Sequence, residues 1–297
     1  MLAAIASILF VLIWSTGFIV ARFMVPHAAP ELILTIRLLL TAGVLGMAAV
    51  AFRQRLPRGR VHLHVAAGAM LHGLYLGLSW WAVRSGMPAG IMSLLGALQP
   101  LLVMAASAML LGDRQPPRAW MGLAIAILGV TCVLLPALER SGAGGIALLP
   151  TILGLFAVLG MAGGTLIQRG SIAGDGIAMS GAIQNASGAA VTCAAMLVLG
   201  DYHWDNDPIL WAGLTWSVLG LSALGLSLLV WLVRHQGPAR PSMLLLLVPP
   251  LAAIEAWLLF DERLGPVQIA GFLLALGGVL LGRSRPQADK EPVTEPA

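Results

Sequence analysis

The chain has 297 residues, of which 59% are hydrophobic and only 10% are charged. A soluble domain carries about 25% charged residues, so this chain has too few charges to cover a water-facing surface. Its net charge of +4 invites comparison with nucleic-acid-binding proteins, but the basic residues are not gathered on a soluble module, and no nucleic-acid partner is expected. The composition predicts an integral membrane protein whose surroundings are the lipid bilayer.

The apolar segments of the chain favour helices over barrel strands. In hydrocarbon the backbone must satisfy its own hydrogen bonds, which leaves helices or closed barrels. Barrel strands alternate apolar and polar residues, whereas residues 95–111 and 243–260 are apolar at almost every position. A helical span needs roughly 20 apolar residues. Ten spans are predicted, at residues 2–22, 30–51, 62–83, 88–111, 118–136, 147–167, 177–199, 209–233, 238–260 and 266–282.

Lys and Arg residues fall mainly on one side of these spans. Cytoplasmic loops of membrane proteins are enriched in Lys and Arg. Twelve of the 17 such residues lie on the side that holds both termini and the loop 53–60, and four lie on the other side. Both termini are therefore predicted to be cytoplasmic, and the polar, proline-rich segment 284–297 is predicted to be a disordered cytoplasmic tail.

The second half of the sequence repeats the first in order and spacing. A unit of five spans crosses the membrane an odd number of times, so its copy lies upside down, as in many secondary transporters. Residues 1–140 and 146–283 are therefore predicted to form two inverted five-helix repeats, with a duplicated scaffold that has no transport role as the alternative. The matched pairs are Trp81 with Trp231, Arg84 with Arg234 and Pro88 with Pro238 at an offset of 150, and Pro100 with Pro249, Asp113 with Glu262, Pro117 with Pro266, Gly122 with Gly271 and Gly129 with Gly278 at an offset of 149.

At these residues the chain resembles the drug/metabolite transporter superfamily, specifically the EamA-type exporters. Its signature is carried by Trp14-Ser15-Thr16-Gly17-Phe18 in the first span, by Gln99-Pro100 followed by Gly112-Asp113-Arg114, and by a second copy at Glu262-Arg263. The resemblance implies ten helices in a bacterial inner membrane, alternating access, and a central cavity lined mainly by spans 1, 3, 4, 6, 8 and 9. The second half has no match to Trp14 or Arg37, which predicts an asymmetric cavity.

The function that this resemblance implies is export of a small polar or amphipathic metabolite, with amino acids, including aromatic ones, favoured. Organic cations or drugs, nucleosides and sugars are alternative substrates, and an intramembrane enzyme or a channel is the alternative from another class. The sequence has no metal-ligand spacing, phosphate-binding glycine loop or nucleotide motif. We therefore expect no cofactor, no metal, no catalytic residue and no ATP use, and a monomer that binds a small-molecule substrate.

Polar and aromatic side chains at mid-membrane depth are the candidate substrate-binding residues, because a polar group in hydrocarbon is costly. Rings provide cation–π contacts and amides provide hydrogen bonds, which together suit a zwitterion or an organic cation. For each residue, helix packing is the alternative role. The candidates are Trp14, His72, Tyr75, Gln99, Asn185 and Ser222.

Prolines and charges inside the spans provide a second set of candidates. Pro100 and Pro249-Pro250 are repeat-equivalent, and paired helix breaks point to a transporter's binding site. Arg37 and Glu255 are predicted to lie at similar depths below the outer surface. A pair between them would be structural and stay ionised. If they lie apart, Glu255 is the natural proton carrier, although one acid without a relay partner favours facilitated transport.

Several further residues are expected to have structural roles. His62 and His64, beside the basic loop, are expected to be solvated or to contact lipid headgroups. The glycines of 122–129 and 271–278 are expected to let spans 5 and 10 pack closely. The tryptophans expected in the interfacial belt are Trp80, Trp81, Trp204, Trp211 and Trp257.

The charge bias provides the first test. We expect a single cysteine at Asn206 to react with a membrane-impermeant thiol reagent in intact cells, because the loop that contains it is predicted to be outside. A cysteine at Arg58 is expected to stay unlabelled until the cells are permeabilised. The reverse pattern of labelling would show that the predicted topology is wrong.

Overall fold

The computed structural model describes residues 2–139, 148–169, 174–237 and 239–282. Over these ranges it contains nine helices that are long and apolar enough to span a membrane and a shorter apolar helix of 17 residues. The predicted tail 284–297 lies outside the described residues. The helices are α1 (Leu2–Met24), α2 (Pro30–Ala51), α3 (Val61–Arg84), α4 (Ala89–Leu111), α5 (Pro117–Glu139), α6 (Leu148–Arg169), α7 (Ile177–Leu199), α8 (Pro208–Gln236), α9 (Arg240–Phe260) and α10 (Pro266–Gly282).

The ten helices pack as two inverted repeats of five, as predicted. Helices in equivalent positions of the two halves contact each other, α5 with α10 and α2 with α7. Two further sets of contacts also exchange when the halves are swapped, because α3 packs on α6 as α8 packs on α1, and α4 packs on α9. An exchange of this kind is what a pseudo-twofold axis in the membrane plane produces. The protein is therefore a multi-pass membrane protein of all-α fold.

Glycines bring α5 and α10 into backbone contact. A Cβ atom added at Gly122 would lie 2.6 Å from the carbonyl oxygen of Gly278, and one added at Gly271 would lie 2.6 Å from that of Gly129. Real Cβ atoms do not approach other atoms so closely, so only glycine fits at these positions. The expectation that glycines let these two helices pack closely is confirmed.

Two helices are interrupted near the middle of the membrane. In α4 the backbone departs from α geometry at Leu98 (φ −73°, ψ −15°), and in α9 it does so at Leu247 (φ −79°, ψ −15°). Each of these residues precedes a proline by two positions, Pro100 or Pro249. Proline has no N–H, so a carbonyl in the preceding turn loses its partner. The same break is therefore built into both repeats.

Two other helices contain wide π-helical turns. In α3 the wide segment is Ala69–Leu74, and in α8 it is Trp216–Gly225. The two segments overlap at the repeat offset of 150, which makes His72 and Ser222 equivalent positions. Wide turns of this kind are rare and are found frequently at functional sites. The sequence carries no periodicity that predicts them.

The α5–α10 contact provides a stability test. We expect Gly278→Val to lower the apparent melting temperature in detergent, because overpacking costs about 1–3 kcal/mol and the blocking atoms are backbone atoms of Gly122 and Ala126, which cannot rotate away. The matched control is Gly277→Val, since nothing lies within 4 Å of a Cβ added at Gly277. Equal melting temperatures for the two variants would contradict the packing described here.

Candidate functional site

Aromatic contacts join α1 to α3 and to α8 at mid-membrane depth. The ring of Phe18 on α1 meets the ring of Tyr75 on α3 edge to face, with centroids 6.4 Å apart. On the same helix, Trp14 lies against Gly225 of α8, where an added Cβ atom would be 3.5 Å from the indole ring. Both Trp14 and Tyr75 are only partly exposed. The two predicted aromatic residues therefore face protein inside the bundle.

Contacts made by α2 close a ring of four helices. Thr41 on α2 donates a hydrogen bond of 3.5 Å to Ser222 in the wide segment of α8. One turn earlier on α2, the guanidinium of Arg37 lies 5.7 Å from the ring centroid of Trp80 on α3. The order of contacts is thus α1–α3–α2–α8–α1. We call this closed set of four helices the central ring.

Arg37 is the charged residue of the central ring. It lies seven residues into α2, which corresponds to a depth of about 10 Å at 1.5 Å per residue. Its guanidinium is close enough to His72 and Tyr75 to interact with both electrostatically. The Nε atom of Arg37 is buried and has no hydrogen-bond partner within the described ranges. The four helices of the central ring therefore carry Arg37 and four predicted residues, Trp14, His72, Tyr75 and Ser222, of which His72 and Tyr75 are within electrostatic reach of Arg37.

Gln99 and Asn185 lie away from this ring. Gln99 on α4 donates a hydrogen bond of 2.5 Å to Thr165 of α6, one turn from Gly96, which lies beside the Tyr75 hydroxyl. Asn185 on α7 is 6% exposed and donates a hydrogen bond of 2.8 Å to the carbonyl of Gly181 in its own helix. Gln99 is thus joined to α6, Asn185 is bonded within α7, and neither belongs to a helix of the central ring.

Glu255 on α9 is bonded to α1. Its Oε1 atom accepts a hydrogen bond of 2.6 Å from Ser15, and its Oε2 atom is buried without a partner among the described residues. No ion pair joins Glu255 to Arg37 in the part of the chain that the structure describes. Of the two arrangements that the sequence left open, the structure therefore has the one in which the charges do not pair.

The two signature acids pair with arginines in a repeat-related way. Asp113, after α4, lies 3.4 Å from Arg169 at the end of α6, and Glu262, after α9, lies 3.5 Å from Arg22 near the end of α1. Glu262 also accepts a hydrogen bond of 3.0 Å from the backbone N–H of Ala89. Burial raises the pKa of the Glu262 carboxyl, and Arg22 and this N–H oppose the shift. Because the repeats are inverted, the two ion pairs lie at opposite faces of the membrane.

Comparison with known families identifies the chain. Residues 1–135 and 148–282 match the EamA-like transporter family. The chain belongs to this family. The two matched ranges correspond to α1–α5 and α6–α10, so the structural repeats and the family matches coincide.

Several curated proteins are similar to this EamA-like transporter. An uncharacterized protein of Pseudomonas aeruginosa is 30% identical over 93% of this chain and 92% of its own length. A probable amino-acid metabolite efflux pump of Escherichia coli is 24% identical over 93% of both chains. A protein of the same name from Salmonella typhimurium is 29% identical, but its alignment covers only 43% of this chain and 41% of that protein.

A solved structure has the same fold as this EamA-like transporter. A crystal structure of a protein superposes with a TM-score of 0.63, covering 94% of this chain and 97% of that chain. The sequence identity between the two is 16%. The likeness therefore extends the fold assignment over nearly the whole chain.

The environments of two residues in this EamA-like transporter, Trp80 and Glu31, were not predicted from the sequence. Trp80 is 1% exposed and lies beneath Arg37, so its assignment to the interfacial belt is wrong. Glu31, in the first turn of α2, is 2% exposed and accepts a hydrogen bond of 3.0 Å from the indole N–H of Trp81. A helix N-terminus stabilises a carboxylate, which is the sequence signal that was available for Glu31.

A network of hydrogen-bonded polar side chains connects α3, α6 and α7 at their ends beside the basic loop 53–60. His64 is fully buried, contacts Asp175 at 2.9 Å through Nε2, and contacts Gln184 at 3.2 Å through Nδ1. Gln168 donates a hydrogen bond of 2.7 Å to Gln184, and Arg60 donates one of 2.6 Å to Asp175. The expectation that His64 is solvated or contacts lipid headgroups is therefore wrong. These hydrogen bonds connect the ends of the three helices.

A shallow groove of about 590 Å³ runs along α8 on its exposed side. It lies beside the wide segment, and its lining is almost entirely apolar. Among the described residues, no group of three or more His, Cys, Asp or Glu side chains is placed to hold a metal ion. The lining residues of the groove are Trp211, Ala212, Thr215, Trp216, Leu219, Gly220 and Leu224.

Proposed function

We propose that this EamA-like transporter exports amino acids or closely related small metabolites across the bacterial inner membrane by alternating access. The observation that carries the proposal is the central ring, whose helices α1, α2, α3 and α8 carry Trp14, Tyr75, His72, Arg37 and Ser222 within the interior of the spans. Relatives named probable amino-acid metabolite efflux pump support the substrate class and the direction. The proposed unit is a monomer with both termini in the cytoplasm.

The chemistry of the central ring suits an amphipathic solute. Aromatic faces of Trp14 and Tyr75 provide apolar contact area, and hydroxyls and a guanidinium provide a few directed polar contacts, which is the usual composition of a small-molecule site. The wide turns of α3 and α8 place His72 and Ser222 at equivalent positions. A solute in the ring would thus touch both repeats.

The repeat-related ion pairs support alternating access. Asp113–Arg169 joins the ends of α4 and α6, and Glu262–Arg22 joins the ends of α9 and α1 at the opposite face. In our proposal each pair closes one face and separates when that face opens. Both pairs are partly exposed and therefore weak, so a change of conformation can break them at small cost.

The two alternative functions, an intramembrane enzyme and a channel, require different arrangements of residues. An intramembrane enzyme needs a nucleophile beside a base, yet Ser187 donates a hydrogen bond of 2.7 Å to the carbonyl of Val65 and makes none to His72 in the part of the chain that the structure describes. A channel needs one fixed continuous path, whereas two inverted five-helix repeats are the plan of many secondary transporters. These observations favour a transporter.

A panel of solutes tests the proposed function. In proteoliposomes we expect saturable uptake and counterflow of an amino acid, with competition from other amino acids and none from sugars, nucleosides or quaternary amines. Ser222→Trp is expected to abolish the flux by filling the ring, while Ser227→Trp on the same helix, whose hydroxyl bonds only to its own helix at 2.7 Å, is expected to retain it. Competition by another solute class alone would reassign the substrate, and flux without saturation would indicate a channel.

We further propose that Glu255 carries the proton if a pH gradient drives transport. The Glu255 side chain is half-buried, and its Oε2 atom is buried without a partner among the described residues. An uncompensated carboxylate of this kind is costly to keep ionised. Ser15 is the hydrogen-bond partner of its other oxygen. The structure therefore favours the proton-carrier role over the paired, structural role for this residue.

Replacing Glu255 tests this role. We expect an imposed pH gradient to accelerate flux through the wild-type protein and not through Glu255→Gln, which keeps the shape and a partner for Ser15 but cannot titrate. Glu31→Gln is the matched control, because that carboxylate likewise has one buried oxygen with no partner among the described residues but lies in a helix N-terminus. Wild-type flux that is indifferent to the gradient would establish facilitated transport instead.

A further inference from the structure

Arg37 is a cation in the membrane interior that has no anionic partner in the part of the chain described. Placing a charge at such a depth costs several kcal/mol unless it is paired. The guanidinium carries five donors, yet no hydrogen bond or ion pair to Arg37 is found among the described residues, and its Nε atom is buried without one. Its neighbours Trp80, Tyr75 and His72 carry no negative charge that could compensate it.

Other arginines near the helix ends are paired with carboxylates. Arg84 contacts Asp201 at 2.8 Å, although both side chains are about one-third exposed, and Arg22 contacts Glu262 at 3.5 Å. The nearest acid along α2, Glu31, bonds to Trp81 instead. Arg84 and Arg22, which water already stabilises, thus have carboxylate partners. Arg37 lies deeper in the membrane and has none among the described residues.

We propose that Arg37 is a carboxylate-binding subsite of the central ring. A guanidinium matches a carboxylate with two parallel hydrogen bonds, and the partner that the fold does not provide is then brought by the solute. The Trp80 ring supports one face of the guanidinium at 5.7 Å. The inference rests on the proposed function for the presence of a solute site, and adds that its ligands carry a carboxylate.

The neighbours of Arg37 define the rest of the bound molecule. Tyr75 lies within electrostatic reach of Arg37, its hydroxyl lies beside Gly96 of α4, and its ring packs edge to face on Phe18 of α1. A solute anchored at Arg37 would therefore extend an apolar or aromatic part toward α1. A decarboxylated analogue would fit the same space but leave the guanidinium unpaired.

Binding to the purified protein separates this subsite from transport itself. The probes are 3-phenylpropionate, L-phenylalanine and phenethylamine, which share a ring and differ in charge, and binding is measured by calorimetry. We expect the two carboxylates to bind the wild-type protein and to lose about tenfold or more in affinity in Arg37→Gln, because one charge-assisted contact is worth that much. Phenethylamine is expected to show no loss.

Two further variants control for folding. Arg37→Lys keeps the charge and is expected to retain part of the carboxylate affinity, and Arg84→Gln, which removes a paired arginine, is expected to leave the preference for carboxylates unchanged. Arg37→Gln binding 3-phenylpropionate as tightly as wild type, equal losses for all three probes, or no carboxylate binding by wild type would each overturn the subsite.

Inorganic anions form the last arm of the experiment. Chloride or phosphate that displaces 3-phenylpropionate at equal concentration would reassign Arg37 to an inorganic anion and overturn the proposal. Failure of the proposed function has a separate signature, since carboxylates would then bind in an Arg37-dependent way without being moved in proteoliposomes.

Discussion

The hydrocarbon of the bilayer offers no hydrogen bonds, and the rest of this structure depends on that constraint. Every backbone group must find a partner within the protein, which leaves helices as the building unit. The departures from regular helix are therefore informative, because each has to be compensated by neighbouring protein. They occur at Leu98 and Leu247 and in the wide turns of α3 and α8, so the irregular backbone is concentrated in two repeat-equivalent pairs of helices, α3 with α8 and α4 with α9.

The two wide turns share a geometry but not an environment. That of α3 is enclosed by glycines, since Cβ atoms added at Gly160 or Gly188 would clash with Leu74 or His72. That of α8 leaves Leu219 54% exposed. The repeats are thus symmetric in path and asymmetric in packing, which leaves the wide turn of α8 less constrained than that of α3.

Sequence reasoning predicted the fold well because hydropathy, charge bias and the repeat are local or pairwise signals. The ten helices lie within a few residues of their predicted bounds. The site was less accessible, because burial depends on which helices meet. Trp80 and His64 lie at span ends, where position alone favours an interfacial role, yet both are fully buried. Glu31 was missed for the same reason. That Arg37 and Glu255 do not pair could be decided only once helix neighbours were known.

The contact between α5 and α10 also describes how such a molecule can be assembled. Gly122 and Gly271 are equivalent, as are Gly129 and Gly278, and each faces the non-equivalent glycine of the other helix. A surface that meets its own copy in this way is isologous, the arrangement of a twofold homodimer. A separate chain carrying a single repeat would present the same glycine face to a second copy inserted in the opposite orientation. In geometrical terms the ten-helix protein is an antiparallel dimer whose subunits have been joined end to end.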